Sequence, residues 1–274
     1  MFNLHGKYHR FLRVFTNNVS CASRFVSRSY GVSLAKLGLN KADRNDFYDE
    51  SFVDGFKSPR REINLINNCG NKIWPGWVGK NGIPDGGGAT LDVGASRIIH
   101  VPDNWESGRI WARTGCDDNF NCDTGGCGNS ERCDGRTGEN GVSVAEFTFK
   151  KDDPKDVYDI SLVDGFNVQI KIKPNAGSGD YKEIGSCSED LLNSCPNESK
   201  VEKNGRIVKC ESACTKLQNS EYCCTGQHNT SETCHSTNFS RFFKDRCHDS
   251  YSYAYDDPSS TVVCYNANYE VRFC

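Results

Sequence analysis

Cysteine is the residue type whose number and spacing in this chain most directly predict chemistry. The 274-residue sequence contains sixteen cysteines, and fifteen of them lie between Cys69 and Cys274. The spacing runs C-x5-C-x4-C-x5-C from Cys116 and C-x3-C-x8-C-C-x9-C from Cys210. Thiols at such short intervals pair locally in an oxidising compartment and form disulfides that fix loops. The cysteine pattern therefore predicts a secreted, disulfide-rich and mainly β protein.

Zinc binding is the competing chemistry for paired cysteines. Structural zinc sites use closely spaced cysteine pairs, often completed by histidines. Cys122–Cys127 and Cys210–Cys214 have a compatible spacing, but the adjacent pair Cys223–Cys224 does not. A cysteine at the last position of the sequence also indicates a terminal disulfide. The spacing therefore favours disulfides, and we expect neither a bound metal nor another cofactor.

Composition and charge limit the remaining function classes. Hydrophobic residues make up 36% of the chain, which is a low share that disulfides can compensate, since each contributes about 2–4 kcal/mol. Residues 1–61 carry a net charge of +6 and the remainder carries −9. An acidic body argues against nucleic acid as a partner and favours a neutral or cationic ligand. No apolar run approaches the ~20 residues of a membrane span, so we expect no transmembrane segment.

The N-terminal 60 residues differ in composition from the rest. Residues 1–41 contain seven lysines and arginines and no acidic residue, which resembles an organellar transit peptide more than a secretory signal. No apolar core of a signal peptide is present, and a leader without defined structure is the alternative interpretation. We therefore predict a leader and linker in residues 1–60, disordered or processed, and a folded domain in residues 61–274.

The folded domain shows strand patterns on both sides of a cysteine-rich segment. GFNVQIKIKP predicts one continuous strand that ends at Pro174, because apolar and polar residues alternate along it. VSVAEFTF (residues 142–149) predicts another strand, and SSTVVC and NYEVRFC predict strands near the end of the chain. SCSEDLLNSC, ESACTKLQNSEYCC and SRFFKDRC favour short helices, which places a disulfide-rich helical lobe at residues 185–247.

Several separated motifs together resemble the thaumatin-like family, the osmotin and zeamatin type of pathogenesis-related proteins. The motifs are GRIWARTGC, CDTGGCGNSERC, VAEFTF, YDISLVDGFNV, SEYCC, SRFFKDRCHDSYSYAYDD and NYEVRFC, in the family's order. The resemblance covers residues 61–274. It implies a β-sandwich of about eleven strands, a disulfide-rich helical lobe, a small loop region, and an acidic cleft between sandwich and lobe.

The resemblance also implies seven disulfides. The implied pairs are Cys69–Cys274, Cys116–Cys122, Cys127–Cys133, Cys187–Cys247, Cys195–Cys210, Cys214–Cys223 and Cys224–Cys234. The family's eighth disulfide joins Cys264 to a cysteine shortly before Cys187, and this sequence has none there. We therefore expect Cys264 to be a free, buried thiol, with a Cys21–Cys264 disulfide as the alternative.

The family's cleft is lined by an arginine, a glutamate and three aspartates. The matching positions are Arg109 in GRIW, Glu146 in VAEF, Asp159 in YDIS, Asp164 in VDGF and Asp256 in YSYAYDDP. Asp257 is an equally acidic neighbour of the last. Asp159 and Asp164 are five residues apart and would face opposite ways along a regular strand, so a shared cleft requires a bend, for which Gly165 is the candidate.

Paired carboxyl groups are what glycoside hydrolysis requires, because one protonates the leaving oxygen while the other activates water or attacks carbon. Crowded acids raise one another's pKa, and an arginine keeps its neighbour ionised. The same residues would equally suit surface ion pairs without catalysis. Aromatic residues near these motifs, Tyr158, Phe166 and Tyr253, would either stack on sugar rings or belong to the core.

The resemblance implies three candidate functions. The first is a monomeric defence-type, antifungal protein that binds β-1,3-glucan or another wall polysaccharide, because members of the family bind this glucan. The second is a weak endo-β-1,3-glucanase, with Glu146 as the acid and Asp159 or Asp164 as the base or nucleophile. The third is an inhibitor of hydrolases. Four N-x-S/T triplets permit glycosylation of a secreted chain, at Asn18, Asn197, Asn229 and Asn238.

Overall fold

The computed structural model describes residues 60–175, 182–187 and 191–274. The predictions for the leader and for Cys21 lie outside these described residues. Within them the chain forms twelve strands and five α-helices. The strands are β1 Arg60–Asn67, β2 Trp74–Val78, β3 Ser96–Pro102, β4 Gly108–Arg113, β5 Val144–Lys150, β6 Asp153–Ser161, β7 Gly165–Phe166, β8 Ile170–Asn175, β9 Lys200–Lys203, β10 Arg206–Glu211, β11 Val262–Tyr265 and β12 Asn268–Phe273. The helices are α1 Leu191–Ser194, α2 Ala213–Leu217, α3 Ser220–Cys223, α4 Asn238–Lys244 and α5 Asp257–Ser260.

Nine strands form the two layers of a β-sandwich. One sheet has the order β3-β1-β12-β8, and the other has the order β11-β6-β5-β4-β2. Apolar and aromatic residues alternate along these strands, so one face of each sheet is buried between the layers. Tyr269 of β12 shows the contact, because its ring lies 5.2 Å from the rings of both Phe147 and Tyr158 in the opposite sheet. The prediction of a mainly β sandwich is thereby confirmed.

The two ends of the described domain meet in the four-stranded sheet. β12 pairs parallel to β1, with Ile63 opposite Tyr269 and Asn67 opposite Phe273. The Cys69–Cys274 disulfide follows directly and closes a sequence separation of 205 residues. Covalent closure of so long a loop lowers the entropy of the unfolded chain. In the chain-entropy model this raises the free energy of unfolding by about 5 kcal/mol.

In its described residues, the disulfide-rich lobe at 185–247 contains four α-helices and also a β-hairpin. β9 and β10 pair antiparallel, and β10 also pairs with the short strand β7. The turn is Asn204-Gly205, and both residues have positive φ values of 52° and 71°. Such a turn matches the twist of paired strands, and asparagine followed by glycine is its strongest sequence signal. The prediction of a purely helical lobe was therefore incomplete.

The prediction of one continuous strand in GFNVQIKIKP is wrong. Phe166 lies in β7, whereas Ile170 and Ile172 lie in β8 of another sheet. Between these strands, the buried Asn167 side chain donates hydrogen bonds to Ala112 O and Thr124 Oγ1. These bonds hold residue 167 away from regular strand pairing, so β7 and β8 are separate strands. Pro174 also does not end the strand. It lies within β8, an edge strand of its sheet, where proline is tolerated.

The disulfides of the structure account for the cysteine pattern. Seven disulfides have both cysteines in the described residues, and they are the pairs that the resemblance implies: Cys69–Cys274, Cys116–Cys122, Cys127–Cys133, Cys187–Cys247, Cys195–Cys210, Cys214–Cys223 and Cys224–Cys234. These bonds exclude the zinc interpretation of the same cysteines. The expectation of a free thiol at Cys264 is wrong, because this buried residue is disulfide-bonded. Its partner lies outside the described residues. In the described part of the chain, no helix is long and apolar enough to cross a bilayer.

Candidate functional site

Arg109, Glu146 and Asp159 form one row across three adjacent strands of the five-stranded sheet. Arg109 of β4 is directly opposite Glu146 of β5, and Glu146 is directly opposite Asp159 of β6. Residues directly opposite one another project from the same face, with Cβ atoms about 4.5–5.5 Å apart. Their chain neighbours, such as Ala145 and Ile160, are buried in the sandwich core. The row therefore lies on the sheet face that points away from the core.

Asp164 joins this row through a tight turn after β6. The strand ends at Ser161, and Gly165 N donates to Leu162 O at 3.1 Å. Gly165 has a φ of 134°, and a Cβ there would lie 2.5 Å from Cys210 O, so only glycine fits. The bend expected at Gly165 is therefore present. It brings Asp164 Oδ2 to 3.6 Å from the Arg109 guanidinium.

The disulfide-rich lobe contacts the chain at Asp164, next to the five-stranded sheet. The Asp164 carbonyl oxygen accepts hydrogen bonds from Ser212 N at 3.2 Å and Thr215 Oγ1 at 2.8 Å. Both donors belong to the start of α2, where the Ser212 side chain caps the helix by accepting from Thr215 N. We call Arg109, Glu146, Asp159 and Asp164 the acidic cluster. It lies where the five-stranded sheet meets the lobe.

Arg109 is the cation shared by two carboxylates of the acidic cluster. Its Nε lies 3.0 Å from Glu146 Oε1, and its terminal nitrogen reaches Asp164. All three side chains keep between 28% and 36% of their surface exposed, so a ligand can reach them. Asp159 makes no ion pair among the described residues, and its buried Oδ1 has no hydrogen-bond partner there. A buried polar atom without a partner in a native structure requires an explanation.

The electrostatics of the acidic cluster place a proton on Asp159. Burial, and then the charges of Glu146 and Asp257, raise the pKa of Asp159 from 3.8 to about 8, against the opposing effect of Arg109. Burial also raises the pKa of Glu146, but Arg109 opposes this directly through the ion pair. Arg109 thus acts on the pKa of Glu146 through a direct ion pair, whereas it acts on that of Asp159 only through its charge. Asp159 therefore holds its proton at neutral pH, and Glu146 is the acid of the pair that Arg109 contacts directly.

The structure does not bring Asp256 into the acidic cluster. Its side chain is buried and accepts from Ser252 N at 3.0 Å and from Ser252 Oγ at 2.9 Å. Lys244 Nζ lies 3.1 Å from the same carboxylate oxygen. These partners make Asp256 a structural residue at the start of α5. The neighbouring Asp257 is the acid whose charge acts on Asp159.

Tyr251 is a residue of this region that the sequence analysis missed. Its backbone pairs with the end of β6, accepting from Leu162 N and donating to Ile160 O, both at 2.8 Å. Its hydroxyl donates to Asp257 Oδ1 at 2.8 Å. Burial and the nearby carboxylates of Asp257 and Asp159 raise the pKa of Tyr251. Tyr251 therefore holds Asp257 near the cluster, although its motif, SYSYAYDD, gives no signal that separates it from the adjacent tyrosines.

The aromatic residues proposed as sugar platforms differ in location. Tyr158 and Phe166 are buried in the core and cannot stack on a ligand. Tyr253 is partly exposed and lines a small pocket between Val163 and α4. A second small pocket lies beside the acidic cluster, bounded by Arg109, Asp164 and the segment from Thr137 to Asn140. This pocket offers a place for a ligand group against the Arg109 guanidinium.

Comparisons with known proteins give the same family as the sequence motifs. The family model described as "Thaumatin family" matches residues 67–274. A relative from Arabidopsis thaliana named pathogenesis-related protein 5 is 47% identical over 218 residues, covering 78% of this chain and 90% of that protein. A relative from Prunus avium named glucan endo-1,3-beta-glucosidase is 39% identical over 221 residues, covering 77% of this chain and 89% of that protein.

A solved structure with a similar fold is a laminaripentaose-producing β-1,3-glucanase in complex with laminaritetraose. The TM-score is 0.53 at 11% identity, and the match covers 78% of this chain and 98% of that chain. At this identity the likeness concerns the fold alone. It agrees with the sandwich described above.

Proposed function

The chain belongs to the thaumatin family and has pathogenesis-related relatives, and from this premise we propose that it binds β-1,3-glucan in the acidic cluster as a secreted, monomeric, antifungal defence protein. The observation that carries this proposal is the row of Arg109, Glu146 and Asp159 on one accessible sheet face. The relative named as a glucan endo-1,3-beta-glucosidase supports glucan as the ligand class. Seven disulfides and the family are consistent with an extracellular location.

The acidic cluster has the polar chemistry that a neutral saccharide requires. Sugar hydroxyls donate to carboxylates, and Glu146 and Asp164 are both partly exposed acceptors. A protonated Asp159 and the Arg109 guanidinium supply donors beside them. Hydrogen bonds that involve a charged partner contribute about 1.5–3 kcal/mol each, which is enough to orient a sugar in a shallow cleft.

Hydrolysis of the bound glucan by the same residues is the second candidate. The observation that favours it is the raised pKa of Asp159, about 8, beside a second carboxyl group, which suits a general acid and its partner carboxylate. The environment reverses the roles expected from the sequence. Asp159 holds the proton that the leaving glycosidic oxygen would take, and Glu146 or Asp164 would serve as the base or nucleophile.

One experiment separates binding from hydrolysis. The full chain is incubated with insoluble β-1,3-glucan, and retention and the release of reducing sugar are measured on the same sample. Glu146→Gln keeps the size of the side chain but removes its charge. The matched control is Glu62→Gln, because Glu62 is 52% exposed and lies on β1 of the other sheet, beside His100.

The binding proposal expects the wild type and Glu62→Gln to be retained equally, with no release of sugar. Retention of Glu146→Gln should fall about tenfold or less, since one charged hydrogen-bond partner of several is lost. Under the hydrolysis proposal, sugar release by the wild type is measurable and Glu146→Gln abolishes it. Neither retention nor release by the wild type would refute both proposals and favour an inhibitor of hydrolases.

A further inference from the structure

A second concave surface lies apart from the acidic cluster, beside the Cys69–Cys274 disulfide. We call it the terminal groove. Its walls come from the start of β2, α1 and the first residues of β10, and its volume is about 520 Å³. It shares no residue with the acidic cluster or with the pocket beside Arg109. Ligand pockets of proteins commonly measure about 300–1,000 Å³ and are lined mostly by apolar side chains.

Trp74 distinguishes the terminal groove from the rest of the surface. The sequence has four tryptophans, and three of them are buried. The indole N–H groups of these three, Trp77, Trp105 and Trp111, donate to backbone carbonyls at 2.8, 3.0 and 2.9 Å. Trp74 is only half-buried, and its N–H has no partner among the described residues. The groove therefore presents a large apolar ring together with an unused hydrogen-bond donor.

The remaining apolar lining is also incompletely covered. Four half-buried aliphatic side chains face the groove, from three separate segments of the chain: Val168, Leu192, Ile207 and Val208. Burying such side chains fully contributes about 25 cal/mol per Å² of apolar surface. A ligand with an apolar body would therefore gain free energy here, whereas a saccharide would desolvate its hydroxyls against these side chains.

Among the charged side chains that line the terminal groove, one cation has no ion-pair partner within the described residues. Lys72 Nζ lies 3.1 Å from Asp92, and Asp123 lies 3.8 Å from Lys203 Nζ. Both lining charges are thus balanced at the surface. Arg206, in the first position of β10, has no carboxylate within ion-pair distance among the described residues. An arginine without a partner favours a carboxylate, which its planar guanidinium can bind through two parallel hydrogen bonds.

We propose that the terminal groove binds an amphiphilic monocarboxylate, a molecule with an apolar chain and a single carboxylate. The chain would lie against Trp74 and the four aliphatic side chains. The carboxylate would accept from Arg206, with the Trp74 N–H as a further donor. This site does not depend on the acidic cluster, so it stands whether or not the protein binds glucan.

Decanoate, kept below its micelle concentration, is the probe for this proposal. Calorimetric titration of the full chain should give saturable binding to one site, and the tryptophan fluorescence should change with the same affinity. 1-Decanol has the same chain without the charge and should bind about tenfold more weakly, which is the effect of losing one charge-assisted hydrogen bond. Arg206→Gln should weaken decanoate binding by a similar factor. Trp74→Phe should weaken it about fivefold, since an aromatic ring remains but the N–H and part of the apolar surface of the indole are lost.

Arg60→Gln is the matched control, because Arg60 is also exposed but lies at the start of β1. It should bind decanoate as the wild type does. Three results would overturn the proposal: no saturable binding, equal affinity for decanol and decanoate, or an unchanged affinity in Arg206→Gln. A β-1,3-glucan oligosaccharide should not compete with decanoate, and competition would also contradict a separate groove. Glucan retention by Arg206→Gln, measured on the same samples, should equal that of the wild type, which keeps a failure here distinct from a failure of the glucan proposal.

Discussion

Asp156 and Asp159 lie three residues apart on β6, yet they face opposite sides of the sheet. Asp156 points into the sandwich, where Arg61 Nη2, Ala267 N and Tyr269 Oη surround it at 3.2, 2.9 and 2.9 Å. Asp159 points toward the lobe, and its buried Oδ1 has no partner among the described residues. Burial raises the pKa of both carboxyl groups. Burial alone thus does not distinguish a structural acid from a functional one.

The completeness of hydrogen bonding does distinguish them. Each oxygen of Asp156 is used, and its partners tie β1 and β12 to the opposite sheet. A fully paired buried charge serves the architecture, and removing one partner leaves the others unsatisfied. An unpaired buried oxygen beside other acids keeps hydrogen-bonding capacity for a ligand. The comparison predicts that mutations at the two positions affect different properties.

The largest expected difference is in stability. Asp156→Asn should lower the free energy of unfolding by about 3 kcal/mol, because the largely buried Arg61 loses its shorter ion pair and, among the described residues, keeps only Asp103, at 3.8 Å. Asp159→Asn should instead raise it at pH 7, because the amide removes the cost of keeping a proton on a group that is ionised in the unfolded chain. Denaturant unfolding at pH 7 with the disulfides intact measures both. Equal losses in the two variants would remove the distinction between the acids.

The two arginines sharpen the same comparison. Arg61→Met should cost about 3 kcal/mol of stability, because Asp156 is then buried without its cation. Arg109→Met should cost less than about 1 kcal/mol, since its ion pairs are about one-third exposed. Glucan retention should show the opposite order, with a loss of at least about tenfold for Arg109→Met. Arg109→Met with unchanged retention would show that the acidic cluster does not hold the ligand.

The pH dependence of stability isolates Asp159. In the unfolded chain this group ionises near 3.8, whereas in the folded protein it keeps its proton to about 8. Its contribution to stability is therefore complete below about pH 4 and is lost as the pH rises toward 8, with a slope of at most about 1.4 kcal/mol per pH unit. Asp159→Asn should flatten this decline. Asp92→Asn, a change at a 76% exposed surface acid, should leave it in place. Parallel profiles for wild type and Asp159→Asn would contradict the raised pKa.

The smallest expected effects concern the neighbours of Asp159. Glu146→Gln should lower the pKa of Asp159, because it removes the nearest negative charge, and Asp257→Asn should lower it less. Asp256→Asn should leave it unchanged, since Lys244 and Ser252 hold that carboxylate elsewhere. NMR titration of the Asp159 side-chain carboxyl in each variant measures its pKa, and so ranks the three effects. A larger shift from Asp256→Asn than from Asp257→Asn would restore the original assignment of Asp256 to the cleft.

Much of the architecture could be predicted from the sequence. Alternation and cysteine spacing predicted the β-rich, disulfide-linked domain, and the family motifs placed Arg109, Glu146 and Asp159 in one region. The row itself depends on strand register, and no local pattern specifies which residues of β4, β5 and β6 lie opposite one another. The bend after β6 was inferable because a glycine follows Asp164 directly.

The errors of prediction have physical causes. Alternation through residues 166–172 matched one strand, but the buried amide of Asn167 competes with the ladder and divides the segment. The hairpin in the lobe was not predicted, although Asn204-Gly205 signals its turn, because the cysteine-rich segments on both sides of it have helical patterns. Two adjacent aspartates, Asp256 and Asp257, cannot be told apart without knowing that Lys244 reaches the first. The pairing of Cys264 likewise depends on contacts that spacing does not reveal.

The central claim is that the acidic cluster is a ligand site in which Asp159 is protonated at neutral pH. NMR titration of the carboxyl carbons of Asp156 and Asp159, with and without a β-1,3-glucan oligosaccharide, tests it most directly. We expect Asp159 to titrate near pH 8, and we expect the oligosaccharide to shift the signals of Asp159 and Glu146 while leaving that of Asp156 unchanged. Titration of Asp159 near pH 4, together with no response of either acid to the oligosaccharide, would contradict it.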